Sequence, residues 1–400
     1  MTKNYLFFTR NSLPQPHAHL VQVAHSANAA ANLGYSSLLV YLKTKEESRN
    51  IAELLYPFQI QPAPENLKQF YNIQDELKVA QLPMPWPIDR LKNNFINSSR
   101  VISKYYFPLH ILPSTKIVHT RDWNFVKAAI ENGIPAIYEH HHHESKQFEP
   151  EIVQNPLFQI SVTVADPVRE SMIQYGMPPE KVIKLHNGFN KLFIVRHPSA
   201  AKEWREKLLV DERQHLVVYA GALRKFKGID LLIDVAKEMP EVQFVFAGGS
   251  SSEVDAYQQQ AKDKQVKNVT FLGYVQQEHL PSLLQAADVL AHPHCSGEAA
   301  SFTSPLKLFD YMASGTPIVA TEIPPLMEFK SSGAIAGWCE PDNPVKFAEC
   351  LQQVLATHPR KVEGYTDNLE FVRQFSWENR IAKILNHVEE SMRPQLLVEK

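Results

Sequence analysis

Residues 304–315, SPLKLFDYMASG, and the following 316–321, TPIVAT, decide how the chain is read. Ser304 suits a helix N-cap and Gly315 a helix stop. Pro305 suits the first helical position, because the N–H it lacks would be unpaired there anyway. Leu306, Phe309 and Ala313 recur at helical spacing and are expected to face a core, while Thr303, Lys307 and Asp310 share a second, outward polar face. A helix start has free N–H groups and a positive dipole end, so a phosphate is expected over Thr303, Ser304 and Leu306, with Asp310 one turn further in. Lys307 and Asp310 read equally well as an i, i+3 surface ion pair.

The same strand, helix and glycine punctuation runs through the second half. LVVYAGALRKFKGIDLLIDVAKEM is a strand, a loop holding Gly221, Arg224, Lys225 and Lys227, and a helix. VQFVFAGGS, NVTFLGYV and DVLAHPH follow as short buried-type strands separated by helices, which predicts a doubly wound parallel sheet. The first half opens with an apolar run at 5–9, a Pro/His loop, a helical pattern over 20–33 stopped by Gly34, and a strand at 37–42. That loop sits at the carboxyl end of a strand, where ligands bind in such sheets, so His17 and His19 are candidates for contacting an acceptor as well as for solvated surface. KIVHTRD, a helix over 123–131, Gly133 and the strand IPAIYE repeat the pattern and run into His140–His143. The polar stretch 191–214 reads as a linker. The expected domains are therefore 1–192, joined by a closing helix over 376–394, and 193–375.

Four hundred residues are too many for one ordinary core. A hydrophobic content of 44%, a charged content of 21% and a formal charge of -2 describe a globular chain with no bulk attraction to nucleic acid. Cys295, Cys339 and Cys350 are odd in number and lack CxxC spacing, which argues against a disulfide framework and fits a reducing compartment. No long apolar run or signal peptide stands out, so the expected location is cytoplasmic. Residues 85–108 mix basic and aromatic side chains, a pattern shared by peripheral membrane faces and by amphipathic helices with a solvated side.

Histidine runs invite a metal reading. Here neighbouring strand residues point to opposite faces and no matching Cys or carboxylate cluster accompanies them, so no metal is expected. The end of a parallel strand is instead a place to put one histidine into a ligand site, and a solvated loop is the alternative.

Ordered landmarks then carry a resemblance. GALRKFKG, FVFAGGS, NVTFLGYVQQEHLPSLLQAADVLAHPH and SPLKLFDYMASGTPIVAT resemble glycosyltransferase family 4, retaining nucleotide-sugar-dependent enzymes of the GT-B fold, in which two Rossmann-like domains face each other across a cleft. IPAIYEHHHH and VIKLHNGFN match more weakly, in the right order. The resemblance implies a hexosyltransferase-type enzyme, moving a sugar from a nucleotide donor, UDP slightly favoured over GDP, to a sugar, polyol or lipid-linked acceptor. It implies Lys227 at the donor diphosphate beside Gly221, Asp310 at the ribose, His141 at the donor sugar with His140 as understudy, and a last helix returning to the first domain. The family's first acidic position holds Phe302 here, so its contact is lost or passes to Glu298, and Ala222 stands where many members have Arg, with Arg224 nearby. Fixed cations at the leaving diphosphate can stand in for Mg²⁺, so neither a cofactor nor an essential metal is expected. A nucleotide-sugar epimerase or phosphorylase on the same fold, or a non-catalytic binding relative, stays open.

Overall fold

The structure, a computed structural model, describes residues 3–44, 56–73, 76–83, 97–297 and 306–397. The chain divides into two compact units, Met1–His186 with Trp377–Lys400, and Asn187–Ser376.

The first unit is built on β1 (Asn4–Ser12), β2 (Ser37–Leu42), β3 (Ile60–Pro62), β4 (Lys78–Leu82), β5 (Thr115–Thr120), β6 (Ala136–Glu139), β7 (Phe158–Thr163) and β8 (Val182–Lys184). Their order in the sheet is β3-β4-β2-β1-β5-β6-β7-β8, parallel throughout except where β3 pairs antiparallel with β4. The central strands are apolar without alternation because helices cover both faces: all of β2 is buried, as are Tyr5, Leu6, Phe7 and Phe8 of β1. Chain order reverses at β1, whose neighbours are β2 and β5, which makes the carboxyl ends of β1 and β5 a topological switch point. The strands β3 and β4 fall in a stretch with no legible pattern. β3 is an exposed edge strand containing Pro62, so it offers no apolar run to read.

The closing helix Trp377–Asn386 belongs to this first unit. Trp377 stacks on His25 of the helix Ala18–Asn32 at 5.7 Å between ring centroids. Arg380 donates to both oxygens of Glu139 at the end of β6, at 2.6 and 3.1 Å, and to the carbonyl of His186 at 2.9 Å. Both partners of this ion pair are buried.

The second unit holds β9 (His215–Ala220), β10 (Val242–Ala247), β11 (Val269–Gly273), β12 (Val289–His292), β13 (Ile318–Thr321) and β14 (Gly337–Cys339). The sheet runs β11-β10-β9-β12-β13-β14, all parallel, with its switch point between β9 and β12. One core cluster packs Leu216, Val218, Leu290 and Ile318 with Leu308, Phe309 and Met312 of the helix Leu306–Ser314. A second packs Val217, Phe244 and Val319 with Ile229 and Leu232 of the helix Ile229–Glu238 and Phe347 of the helix Pro344–Thr357.

Three expectations are corrected here. The stretch 191–214 is no linker: it forms a 3-10 turn, Lys191–Phe193, and the helix Pro198–Leu208, packed on the second unit. Ala201, Trp204 and Leu208 supply a narrow apolar stripe; the Trp204 indole donates to Ser282 and Arg205 pairs with Asp288 at 2.8 Å. Because the rest of that helix is charged, composition hid it. The division between units accordingly falls at His186 and Asn187, ahead of the expected 192/193, and 193–375 gives way to Asn187–Ser376. Thirdly, Asp310 does not lie on an outward face. The helix Leu306–Ser314 is buried from Leu308 onward, Asp310 included. Its stop is as expected, with Gly315 at φ +66°.

Among the described residues no helix is long and apolar enough to cross a membrane. Of residues 85–108, those from 97 onward are described; they enter a wide helical segment, Ile102–Ile111, that holds Pro108 and exposes Tyr105 and Leu109.

The buried pair sets a measurable expectation. Arg380→Met leaves Glu139 without its main counter-charge and is expected to cost about 3–5 kcal/mol in urea unfolding. Glu378→Ala, which removes an exposed acceptor of the Asn32 amide, is expected to cost less than about 1 kcal/mol. Equal effects of the two substitutions would remove Arg380 from its structural role.

Candidate functional site

Each unit carries its own constellation at the carboxyl ends of its central strands, and the two are described separately. In the first unit a pocket of about 400 Å³ opens at the ends of β1, β5 and β6. Arg10, His19, Arg121, His140 and His142 line it, with Asn11, Trp123 and Asn124. His17 immediately precedes the helix Ala18–Asn32 and stacks on His19 at 5.9 Å. The structure therefore brings together the loop histidines and part of the histidine run that the sequence singled out separately.

β6 ends at Glu139, yet the alternation continues for two residues. Tyr138 and His140 pair on one side, with the Tyr138 hydroxyl and His140 Nδ1 3.0 Å apart, and Glu139 and His141 pair on the other. Glu139 is the hub of a buried network. It accepts from Arg380, from His119 Nε2 at 3.1 Å and from His141 Nε2 at 2.7 Å. Tyr5 meets His119 Nδ1 at 2.9 Å, and Arg121 donates to His141 Nδ1 at 2.9 Å. These partners fix both imidazoles as Nε2–H tautomers. Burial alone would raise the Glu139 carboxyl; Arg380 and the hydrogen bonds from His119 and His141 overcome it and hold the group well below the usual carboxylate range. Burial first, then the Arg121 charge, pushes His141 down to about 3. His141, expected to reach a donor sugar, thus has both ring nitrogens engaged inside the first unit, and His140 and His142 are the members of the run that line the pocket.

In the second unit the turn after β9 places Lys225, Phe226 and Lys227 in a 3-10 turn that ends at Gly228, φ +75°. A Cβ at Gly228 would overlap the Pro293 carbonyl oxygen, so only glycine lets this turn close onto the segment after β12. Gly248 has the same role after β10, where a Cβ would overlap the Gly221 carbonyl, and its φ is +127°. Lys227 is pushed down to about 8, by burial first and then by Lys307 and Arg224. A cation in a partly desolvated place beside other cations is held below its ordinary value, and an anion placed there would restore it. Arg224 is exposed and lies 3.7 Å from Glu253. Lys307 lies 3.5 Å from Asp310, so the ion pair the sequence offered as an alternative does form, though on a largely buried carboxylate. Burial raises the Asp310 carboxyl, opposed by Lys307 and by the backbone N–H of Asn190. Asn190 belongs to the HNGFN segment that the sequence marked as a turn.

Sequence reasoning missed two residues here, His292 and His294. They stack at 4.1 Å at the end of β12, buried, with no hydrogen-bond partner for any ring nitrogen among the described residues. Burial first, with Lys227 contributing to both, keeps them neutral; His292 falls to about 3. DVLAHPH reads as an apolar strand ending in a turn, and only its placement beside Lys227 gives the histidines significance. Glu298, Phe302, Thr303 and Ser304 lie outside the described residues. Leu306 begins the described part of its helix and is half-buried.

Residues 200–365, nearly the whole second unit, match the family model described as glycosyl transferases group 1. A D-inositol 3-phosphate glycosyltransferase of Corynebacterium aurimucosum is 26% identical over 242 residues, covering 58% of this chain and 56% of that relative. An alpha-galactosylglucosyldiacylglycerol synthase of Streptococcus pneumoniae is 30% identical over 216 residues, covering 50% of this chain and 53% of the relative. The chain therefore spans somewhat more than half the length of these relatives. Among solved structures, Anabaena HepE in complex with UDP and glucose superposes with a TM-score of 0.65 at 17% identity, over 96% of this chain and 99% of that one. Sucrose-phosphate synthase from Thermosynechococcus elongatus gives 0.68 at 16% identity, over 96% and 98%. The fold is that of the GT-B glycosyltransferases, with two parallel-sheet α/β domains.

The glycine turns are open to a direct check. Gly228→Ala meets both a backbone overlap and a left-handed φ and is expected to cost about 1–3 kcal/mol in thermal or urea unfolding. Gly273→Ala, with φ +65° but nothing within 4 Å of its Cβ, is expected to cost about 1 kcal/mol. A harmless Gly228→Ala would mean that the Lys227 turn is not held against Pro293.

Proposed function

We propose that the chain is a retaining glycosyltransferase of the family 4 type, transferring a sugar from a nucleotide diphosphate donor, UDP favoured over GDP, to a sugar, polyol or lipid-linked acceptor. The observation that carries the proposal is the partly buried Lys227, set beside Lys307 on the glycine-shaped turn after β9 within the stretch that matches group 1 glycosyl transferases. Cleaving a sugar–diphosphate bond develops negative charge on the leaving phosphate, and fixed cations at that position stabilise it most where water is excluded. Lys227 and Lys307 supply this charge in the proposed mechanism, with Arg224 as an outer, exposed cation. Asp310 accepts from the ribose hydroxyls in this reading, its carboxyl held in place by Lys307 and the Asn190 N–H. His292 and His294 offer neutral N–H groups beside the same phosphate.

On the first unit, His141 acts as a positioning residue, through Arg121 and the Glu139 network, and His17, His19 and His140 belong to the acceptor pocket. No protein nucleophile is assigned. The acceptor attacks on the face the diphosphate leaves, which preserves the anomeric configuration. The enzyme works without an essential metal, since the cationic cluster carries the leaving-group charge, and we place it in the cytoplasm, with peripheral membrane contact through 85–108 where the acceptor is lipid-linked.

Two measurements test this reading. In isothermal titration, Asp310→Ala is expected to weaken UDP binding by about 1–3 kcal/mol, the range for a hydrogen bond involving a charged group. Unchanged UDP and GDP affinity would return Asp310 to a structural ion pair. In a donor and acceptor screen with product analysis, turnover is expected to survive EDTA and to fall at least about tenfold in Lys227→Ala. Loss of activity in EDTA with recovery on adding Mg²⁺ would contradict the fixed-cation mechanism, and an isomerised or phosphorolysed donor would replace transfer by epimerase or phosphorylase chemistry.

A further inference from the structure

The pocket of the first unit carries more fixed positive charge than a neutral sugar needs. Arg10 and Arg121 both line it, and neither has a carboxylate ion-pair partner among the described residues. The nearby acids are already engaged. Glu139 is taken by Arg380, His119 and His141, and Asp122 accepts from the Phe125 N–H and the Ser99 hydroxyl at 3.1 and 2.7 Å. Glu144 accepts from the backbone N–H groups of Ser145 and Lys146 and lies 3.7 Å from His140 Nε2, too far for a hydrogen bond. His19 is surrounded by like charge: burial first, then Arg121, His17, His142 and Arg10, holds it down to about 4, so it enters as a neutral hydrogen-bonding group. The two guanidinium groups are the cations of a pocket that Asp122 and Glu139 also line, with Glu139 matched by Arg380.

Arg121 is also pre-oriented. Its one hydrogen bond among the described residues runs to His141 Nδ1, and His141 is in turn held by Glu139. Burial lowers the Arg121 guanidinium from its ordinary value, so it is partly desolvated while most of its donors stay unused. A planar fork of unused donors, fixed in orientation and opposed only by a Glu139 charge that Arg380 already shares, matches a two-oxygen anion. Neutral hydroxyls would leave its charge uncompensated.

We infer that this pocket recognises an oxyanion, a phosphate monoester or a carboxylate, carried by the sugar or polyol acceptor, with Arg121 as the fixed fork and Arg10 as the second cation. The inference rests on reading the first unit as the acceptor side of a glycosyltransferase. Isothermal titration of the full chain with glucose, glucose 6-phosphate and glucuronate, and separately with UDP, tests it. At least one of the two anions is expected to bind tenfold or more tighter than glucose, and which one it is tells phosphate from carboxylate. Arg121→Gln is expected to abolish that preference, Arg121→Lys to keep part of it, and UDP affinity to stay within twofold in both. Arg10→Gln, at an exposed position, is expected to reduce the preference about threefold and covers the case in which Arg121→Gln fails to fold. Equal binding of all three sugars, no binding of either anion, or a preference that survives Arg121→Gln or, where that variant fails to fold, Arg10→Gln, would overturn the inference. UDP binding without an anion preference would sink this inference and spare the proposed function; an anion preference without UDP binding would do the reverse.

Discussion

The two-pronged contact of Arg380 with Glu139 is the constraint on which the first unit depends. A carboxylate this deeply buried is costly unless its charge is matched and its oxygens are filled, and four hydrogen bonds from Arg380, His119 and His141 do so. The consequence is a single arrangement. The closing helix must return to the end of β6, His119 and His141 must each hold one tautomer, and Arg121 must point where His141 directs it. Stability and site geometry therefore share one hub. Acid acts on it with a definite sign: because the folded carboxyl is held below its unfolded value of about 4.5, its contribution is present above that value and is lost as pH falls toward the folded one.

The second unit poses a different problem, that of holding Lys227, Lys307 and Arg224 near one another. Its turns close on backbone where no side chain fits, and the central strands bring the loops after β9 and β12 together. Burial and its cationic neighbours oppose the charge on Lys227 and push it down to about 8. The stacked His292 and His294 have no hydrogen-bond partner for their ring nitrogens among the described residues. Each unit thus stores an electrostatic debt of its own.

Much of this was legible in the sequence. The strand Ser37–Leu42 and the helix Trp123–Glu131 were readable to the residue, because continuous apolar runs and glycine stops leave no other reading. The helix Pro198–Leu208 was not, since its apolar stripe is narrow and the rest is charged; nor was β3, whose exposed edge has no apolar pattern. Among site residues, Lys227 and Asp310 came from ordered landmarks, whereas the importance of Glu139, Arg121 and Arg380 could not be read. Their meaning lies in a partnership between residues 241 positions apart, and local pattern carries no trace of it. His292 and His294 were hidden for a related reason: two residues at the end of an apolar strand look like a turn until Lys227 is placed beside them.

The central claim, that Lys227 is the charge partner of a diphosphate, is most directly tested by proton linkage. UDP binding measured calorimetrically at pH 8.5, in buffers of different ionisation enthalpy, reports protons taken up on binding. With the free lysine titrating at about 8, an incoming diphosphate should restore its charge, so the account predicts uptake approaching one proton, fading by pH 6.5 and absent in Lys227→Met. UDP binding with no proton uptake at pH 8.5, or the same uptake in Lys227→Met, would contradict it.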